Sequence, residues 1–345
     1  MENKDIRNIT WCVTEDEYRA DKSISYSTLA TFQREGYRGL KRILDGEKID
    51  TSSLRYGSLV DCLLTNKEKF DDIYEVVIYN KPSDLVKSIM DTIWKKRDSL
   101  KPLNKIDRGI ILEHGREMGY GASNWRDDTI IDKIIEAGAS YYDLLILTVD
   151  GKELVHYDDV ELANKCVSTI KHHQYTNWIF EENSYSKLYY QLKFKTKYKD
   201  NHIRCMFDIL KVDYANNLII PIDLKTTSKF EDDFIYSIQD WDYDIQATMY
   251  SYILRKVIRE SEEFKDFKVA PFLFLPINKF SLKPQLFRYM KSSYDTQKTF
   301  IDYKGKKHKA WYDIYDDVMW HIDNDVFDYP IQAVMGSGVT NIEFN

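Results

Sequence analysis

The chain has 345 residues, of which 43% are hydrophobic and 30% are charged, a composition that indicates a globular protein and excludes a disordered segment. Its 49 basic and 56 acidic residues give a net charge of −7, so the overall charge does not by itself indicate a polyanion-binding protein. The sequence has no apolar run of membrane-spanning length, and its four scattered cysteines form no CxxC pair, so we expect a soluble, cytoplasmic protein without membrane association, zinc or iron–sulfur cluster.

The N-terminal part of the sequence predicts two helices. In 23–46, serines that can cap a helix precede apolar residues with helical spacing, and Gly46 is a stop signal. In 53–70, a second set of apolar residues encloses one acid, Asp61, within LVDCLL. An acid in this setting either lies at the edge of the buried face or turns inward as a ligand.

The middle of the chain predicts a strand at 74–80 and then a weakly apolar region with helical periodicity. We expect a helical insertion from about 83 to 175, within a single domain that covers 1–345. Residues 160–173 form the last predicted helix of this insertion.

From residue 185 the apolar pattern changes to that of strands. Two long strand segments, 185–198 and 202–227, are predicted, with YANN (214–217) as a turn inside the second. The elements predicted after them are a helix at 242–260, strands at 269–277 and 285–290, and a helix at 309–327. Strands with helices on both sides predict an α/β fold, in which 185–290 forms the central sheet and its helix.

Two acids and a lysine are predicted to meet on this sheet. A hairpin at YANN would place Asp208 near Asp223, because antiparallel neighbours lie about 5 Å apart. Lys225 shares a face of its strand with Asp223, since side chains alternate with a period of two. Two carboxylates are suited to bind Mg²⁺ or Mn²⁺, and the three side chains together fit metal-assisted hydrolysis of a phosphodiester.

A structural ion pair explains part of the same pattern, with Asp223 paired to Lys225 or to Arg204. Gln246 and Tyr250 are four residues apart on the predicted helix 242–260, so they share a face. That face can be directed at the two carboxylates, or the tyrosine can simply pack on the sheet with the glutamine at its rim.

Taken together, these segments resemble the PD-(D/E)XK nuclease superfamily, in the branch of RecB-type nuclease domains and phage exodeoxyribonuclease VIII-like proteins. The matching segments are ISYSTLATF (24–32), YGSLVDCLL (56–64), FDIL (207–210), IDLKTT (222–227) and YDIQATMY (243–250). The resemblance implies a restriction-endonuclease-like α/β core, in which a central mixed β-sheet is flanked by helices and carries a helical insertion.

The resemblance also implies roles for individual residues. Asp208, Asp223 and the carbonyl of Leu224 would bind the metal ion, Lys225 would be the catalytic lysine, and Gln246 and Tyr250 would support the site or contact DNA. Asp61 stands where this branch usually has a metal-coordinating histidine, which makes it a candidate fourth ligand. The sequence departs from the branch at two further positions: Gln191 stands where many members have an acid, and Phe207 replaces the proline of the PD motif.

The activity implied by the resemblance is Mg²⁺-dependent (or Mn²⁺-dependent) hydrolysis of DNA. The sequence has no Walker loop, so we expect an ATP-independent exonuclease that acts on linear double-stranded DNA in phage-type recombination or replication. The same resemblance implies a homo-oligomeric ring, a single-strand annealing or recombination protein as partner, and a bacterial or phage origin. The alternatives are a structure-specific or single-strand nuclease of this fold, and a catalytically inactive module that binds DNA or protein.

Overall fold

The structure is a computed structural model that describes residues 4–47, 50–79, 81–97, 100–147, 151–290, 300–305 and 307–339. The chain divides into two compact units. The sheet unit comprises Met1–Thr51 and Cys166–Asn345, and the helical unit comprises Ser52–Lys165. The division begins at Ser52 and not near residue 83, where the predicted insertion starts.

The α-helices of the described chain are numbered here in chain order. They are α1 (Glu15–Ala20), α2 (Tyr26–Leu44), α3 (Ser52–Thr65), α4 (Phe70–Ile73), α5 (Asp84–Lys95), α6 (Arg108–Glu117), α7 (Asp127–Leu147), α8 (Tyr157–His172), α9 (Phe234–Asp240), α10 (Tyr243–Glu260), α11 (Trp311–Asn324) and α12 (Ile331–Met335). None of these helices is long and apolar enough to cross a membrane.

The β-strands are numbered in the same way. They are β1 (Tyr74–Val77), β2 (Glu153–His156), β3 (Ser186–Tyr198), β4 (Asn201–Asp213), β5 (Leu218–Thr227), β6 (Lys268–Val269), β7 (Leu273–Asn278), β8 (Phe287–Arg288), β9 (Phe300–Ile301) and β10 (Lys307–His308). Of the strand predicted at 74–80, residue 80 lies outside the described residues.

The sheet unit is built on a central mixed sheet flanked by helices, as the strand pattern predicted. Its strands lie in the order β3-β4-β5-β7-β8, and β6 also pairs with β5. The β3–β4, β4–β5 and β7–β8 pairs are antiparallel, whereas β5 and β7 are parallel, with α10 between them in sequence. Apolar residues of α2, α10 and α11 share one core with the sheet, which includes the fully buried Phe194, Phe207 and Phe272.

The turn between β4 and β5 forms at the predicted segment 214–217. The Asp213 carboxylate accepts the backbone N–H groups of Ala215 and Asn216, both at 3.0 Å. Asn217 has a φ of 49°, in the left-handed region that asparagine tolerates better than most residues. This local chemistry sets the register of the hairpin.

Helix α2 begins where the serines predicted, because Ser25 is its N-cap and accepts the backbone N–H of Thr28. The helix ends at Leu44, and Gly46 follows with a φ of 82°. The sequence did not predict the interruption at Gly36, where a φ of 67° breaks the regular helix.

The helical unit has its own core, formed by α5, α6 and α7. The fully buried residues of this core are Ile89, Met90, Leu103, Ile111, Ile130, Ile134 and Tyr142. The predicted strand β1 pairs in parallel with β2, from Tyr74–Glu153 to Val77–His156. Strand β2 was not predicted, and it interrupts the helical region expected between 83 and 175.

Candidate active site

The candidate site lies where β4 and β5 stop pairing. The two strands form a regular ladder from Asp213–Leu218 to Ile209–Ile222, and one more step in the same register would pair Asp208 with Asp223. The ladder ends before that step. Instead, Oδ2 of Asp208 accepts the backbone N–H of Leu224 at 2.9 Å. The side chain of Asp208 therefore replaces a ladder hydrogen bond and is held beside the Asp223–Leu224 peptide.

Strand β3, which pairs with the other edge of β4, is irregular at the same point. The ladder between β3 and β4 continues on both sides of Gln191 and Asp208 but skips this pair. Gln191 has a φ of 53°, a conformation that costs a residue with a Cβ about 1 kcal/mol or more. Gln191 thus lies directly across from Asp208, at a local distortion of β3.

Asp223 is only 3% exposed and has a partner on each carboxylate oxygen. Lys225 Nζ lies 2.5 Å from Oδ2, and Nε2 of Gln246 donates a hydrogen bond to Oδ1 at 2.6 Å. Lys225 and Asp223 share a face of β5, as the strand period predicted, and α10 directs Gln246 at the same carboxylate. The structure therefore brings together Asp208, Asp223, Lys225 and Gln246.

The environment of Lys225 keeps its amine protonated. Burial by itself acts to lower the pKa of Lys225, but the nearby Asp223, Tyr243 and Asp208 raise it, and the balance is a pKa above the usual value. The ammonium also lies 4.6 Å from the ring centroid of Tyr243, within range of a cation–π contact. With these partners, Lys225 carries a positive charge at neutral pH.

Tyr250 lies beneath the site in an aromatic cluster. Its ring centroid is 5.3 Å from that of Phe207 and 6.4 Å from that of Tyr26, in edge-to-face arrangements. Burial raises the pKa of Tyr250 well above its ordinary value, so the phenol stays neutral. These contacts support β4 next to Asp208, and a direct role of Tyr250 at DNA stays a prediction.

Two tyrosines near Lys225, Tyr26 and Tyr243, were not among the predicted site residues. Both contribute to the raised pKa of Lys225. Tyr243 precedes Gln246 by three residues on α10, so helical spacing alone could have placed both on one face. Tyr26 comes from α2, about 200 residues earlier, and its hydroxyl donates to the carbonyl of Trp241 at 2.7 Å.

The structure also bears on the alternative of a simple ion pair. The Asp223–Lys225 pair exists, but the pairing of Asp223 with Arg204 is wrong, because the Arg204 guanidinium donates to the carbonyl of Tyr18 and lies 3.4 Å from Asp21. An isolated Asp223–Lys225 pair would not require Asp208 beside it, nor the amide of Gln246.

The donor set at this point fits a hard divalent cation. It contains two carboxylates on adjacent strands, and one oxygen of Asp223 already faces a cation, the Lys225 ammonium. Oxygen ligands of this kind suit Mg²⁺ and Mn²⁺. The carbonyl of Leu224 as a ligand stays a prediction. A role of Asp61 as a metal ligand also stays a prediction. Asp61 is half-buried on α3 of the helical unit.

Comparisons with known proteins add a structural likeness. No family model matches the sequence, and a search of the curated proteins finds no match. Among solved structures, the chain is similar to a protein from Eubacterium rectale described as a "putative exonuclease", with 13% sequence identity and a TM-score of 0.43. The likeness covers 96% of this chain and 89% of that one.

Proposed function

We propose that the protein is a metal-dependent deoxyribonuclease of the PD-(D/E)XK type, which hydrolyses DNA phosphodiester bonds. One observation carries this proposal: the strands β4 and β5 separate at the point where Asp208 and Asp223 meet, and Lys225 and Gln246 converge on the same carboxylate. A sheet that only needed to be stable would have no reason to place a second, half-buried acid beside the buried Asp223, because carboxylates taken out of water are costly.

The proposed roles follow from the contacts. Asp208, Asp223 and the carbonyl of Leu224 would hold Mg²⁺ or Mn²⁺, with Asp61 as a candidate further ligand. A bound divalent ion would polarise the phosphate and make an attacking water more acidic. Lys225, fixed as an ammonium, would stabilise negative charge on the phosphate, and Gln246 would keep the Asp223 carboxylate in position.

The finer assignment rests on the resemblance of the motifs. It favours an ATP-independent exonuclease on linear double-stranded DNA, with a role in phage-type recombination or replication. A homo-oligomeric ring and a single-strand annealing or recombination partner belong to the same proposal.

Hydrolysis assays on defined DNA test this proposal. Linear duplex, closed circular duplex and single-stranded DNA are incubated with Mg²⁺, Mn²⁺ or EDTA, with wild type beside Asp223→Asn and Lys225→Ala. We expect linear duplex to be degraded from its ends with either metal, no cleavage with EDTA, and a loss of at least a thousandfold in both variants. Asp240→Asn is a matched control, since it removes a carboxylate that forms a lysine ion pair elsewhere in the sheet unit.

Each other result has a definite meaning. Survival of all three substrates with both metals would contradict the nuclease proposal and favour a binding module. Cleavage of closed circles, or of single strands alone, would contradict the exonuclease assignment and favour the structure-specific or single-strand alternative. Undiminished cleavage by both variants would place the active site elsewhere.

A further inference from the structure

A second buried polar cluster lies at the start of α10, separate from the candidate active site. It consists of Asp242, Asp244 and His308, which are at most 1% exposed. One ligand atom from each of the three residues lies within 4.8 Å of the other two. The cluster thus combines one imidazole nitrogen and two carboxylates in a space of the size that a single metal ion occupies.

The ring of His308 is fixed in orientation. Its Nε2 lies 3.1 Å from Oδ2 of Asp302, and the Phe300 ring stacks on it with a centroid distance of 4.7 Å and an interplanar angle of 6°. With Asp302 at Nε2, that nitrogen can keep a proton while Nδ1 binds a metal ion. Metal-binding histidines commonly have such a partner on the second nitrogen, because it sets the tautomer and makes the ligating nitrogen more basic.

The other ring nitrogen of His308 points into the cluster. Nδ1 lies 2.9 Å from Oδ1 of Asp242, yet among the described residues it has no hydrogen bond of ordinary geometry. With the proton on Nε2, the lone pair of Nδ1 faces a carboxylate oxygen at this distance, and the two repel unless a positive charge lies near both. The Arg34 guanidinium lies 3.3 Å from the other carboxylate oxygen of Asp242, Oδ2.

We propose that Nδ1 of His308 and the carboxylates of Asp242 and Asp244 bind a divalent transition-metal ion, with Zn²⁺ or Mn²⁺ as the fitting ions. Mixed nitrogen and oxygen ligands suit these ions, whereas Mg²⁺ prefers oxygen ligands alone. The two sites of the sheet unit therefore differ in metal preference. This proposal does not depend on nuclease activity.

The position of the cluster indicates a structural role for the ion. Asp242 and Asp244 lie at the N-terminal end of α10, and His308 belongs to β10, more than 60 residues later in the chain. An ion bound by all three would fasten the β9–β10 hairpin to the helix that carries Gln246. Removal of the ion would loosen this attachment and lower the thermal stability of the protein.

Metal retention tests the proposal. Full-length protein is stripped with chelator, incubated with Zn²⁺, desalted and measured for zinc content and melting temperature. In the double variant Asp208→Asn/Asp223→Asn, which lacks the two carboxylates that meet on the sheet, we expect one retained zinc per chain and a higher melting temperature with zinc than without it. Adding His308→Gln should abolish both effects. His321→Gln in the same background is the matched control, because His321 is also 1% exposed but lies on α11 and binds the carbonyl of Val326.

A spectroscopic measurement keeps the test decisive if His308→Gln fails to fold. Mn²⁺ is added to the Asp208→Asn/Asp223→Asn protein, and pulsed electron paramagnetic resonance should detect a directly coordinated imidazole nitrogen. The competing explanation is a second proton on His308. Burial acts to lower the pKa of His308, but Asp242 and Asp302 raise it, and the balance is a raised pKa. Nitrogen NMR that shows a doubly protonated ring, unchanged by Zn²⁺, would overturn the proposal, and so would the absence of retained zinc.

Discussion

At the scale of single residues, Lys225 and a bound divalent cation would compete for the same oxygen of Asp223, since the ammonium lies 2.5 Å from Oδ2. Removal of one partner of a buried ion pair typically costs about 3–5 kcal/mol, because the other charge stays buried and uncompensated. We therefore expect Lys225→Gln to unfold more easily than wild type in metal-free buffer, and to gain more stability from Mg²⁺. Thermal melts with and without Mg²⁺ measure both effects.

The control for this prediction is Lys229→Gln. Lys229 also pairs with an acid, Asp240, at 2.8 Å, but this pair is more exposed. Its loss should cost about 1 kcal/mol or less and leave the response to Mg²⁺ unchanged. An equal gain from Mg²⁺ in wild type and Lys225→Gln would mean that Asp223 does not bind the ion.

Gln246 holds Asp223 from the helix side, through the 2.6 Å hydrogen bond to Oδ1. A hydrogen bond to a buried charged group contributes about 1.5–3 kcal/mol, so Gln246→Ala should lower the free energy of unfolding by that amount. DNA hydrolysis should fall at least tenfold, and half-maximal activity should require more Mg²⁺. Titration of Mg²⁺ in the hydrolysis assay checks this, with Thr248→Ala on the same helix as control. If both variants lose activity equally, Gln246 has no specific effect on the site.

The site residues that the sequence predicted lie close together in the chain, whereas those it missed come from distant elements. Asp208, Asp223 and Lys225 are joined by one hairpin, so alternation and a turn signal were enough to bring them together. Tyr26 and His308 reach their clusters from α2 and β10, and their partners depend on how whole elements pack. No local pattern contains that information. For Gln246, helical spacing predicted a face shared with Tyr250 and left open whether that face is directed at the two carboxylates.

At the scale of elements, the β4–β5 turn fixes which residue of β4 lies across from Asp223. Asn217 has a φ of 49°, and a β-branched residue is strained in this region by about 1–2 kcal/mol. Asn217→Val should therefore destabilise the protein by about that amount, whereas Asn217→Gly should be neutral or stabilising. Urea unfolding measures the difference, and Ala215→Val in the same turn, at a negative φ, is the control. Equal stability of the three variants would show that the turn does not require this conformation.

A second element-scale prediction concerns the acid at the end of α9. Hydrogen bonds from Lys229 and Lys304 lower the pKa of Asp240 to about 2, from an ordinary value of 3.8. Because the pKa is lower in the folded state, the carboxylate stabilises the fold above about pH 4, and this contribution disappears as the pH falls through about 2. Asp240→Asn should cost about 1 kcal/mol at pH 7, a value that allows for solvent screening of a partly exposed group.

Urea unfolding at pH 7, 4 and 2.5 checks the Asp240 prediction, since the difference between Asp240→Asn and wild type should shrink toward the lowest pH. Asp232→Asn, at an exposed acid just before α9, controls for the loss of one negative charge. A difference that stays constant over this pH range would contradict the assigned ion pairs.

Elements with a strong repeating pattern were predicted well, and those without one were not. Strands β3, β4 and β5 have 10 to 13 residues with clear alternation or apolar runs, and they form as predicted. Strand β2 has only four residues, ELVH, and exists because β1 pairs with it. The break in α2 at Gly36 depends on one residue inside an otherwise helical pattern, and a glycine in that setting does not by itself predict a break.

At the scale of the whole molecule, the chain leaves the sheet unit after Thr51 and returns to it at Cys166. The sequence marked the region between them as helical but gave no boundary at Ser52, because α3 has an apolar face like any other helix. The two units are distinguished by their separate hydrophobic cores. Which residues belong to each core depends on tertiary contacts. The core of the helical unit consists of residues between Val86 and Leu154.

A continuous segment with its own core should fold alone. We expect a fragment of residues 52–165 to show a helical circular dichroism spectrum and one cooperative thermal transition. Ile134→Asp, which places a charge at a fully buried position of this core, should abolish the transition in the fragment. Glu136→Gln, at a surface position two residues away on the same helix, should leave it intact. A fragment that melts without cooperativity, while full-length protein melts cooperatively, would show that this core requires the rest of the chain.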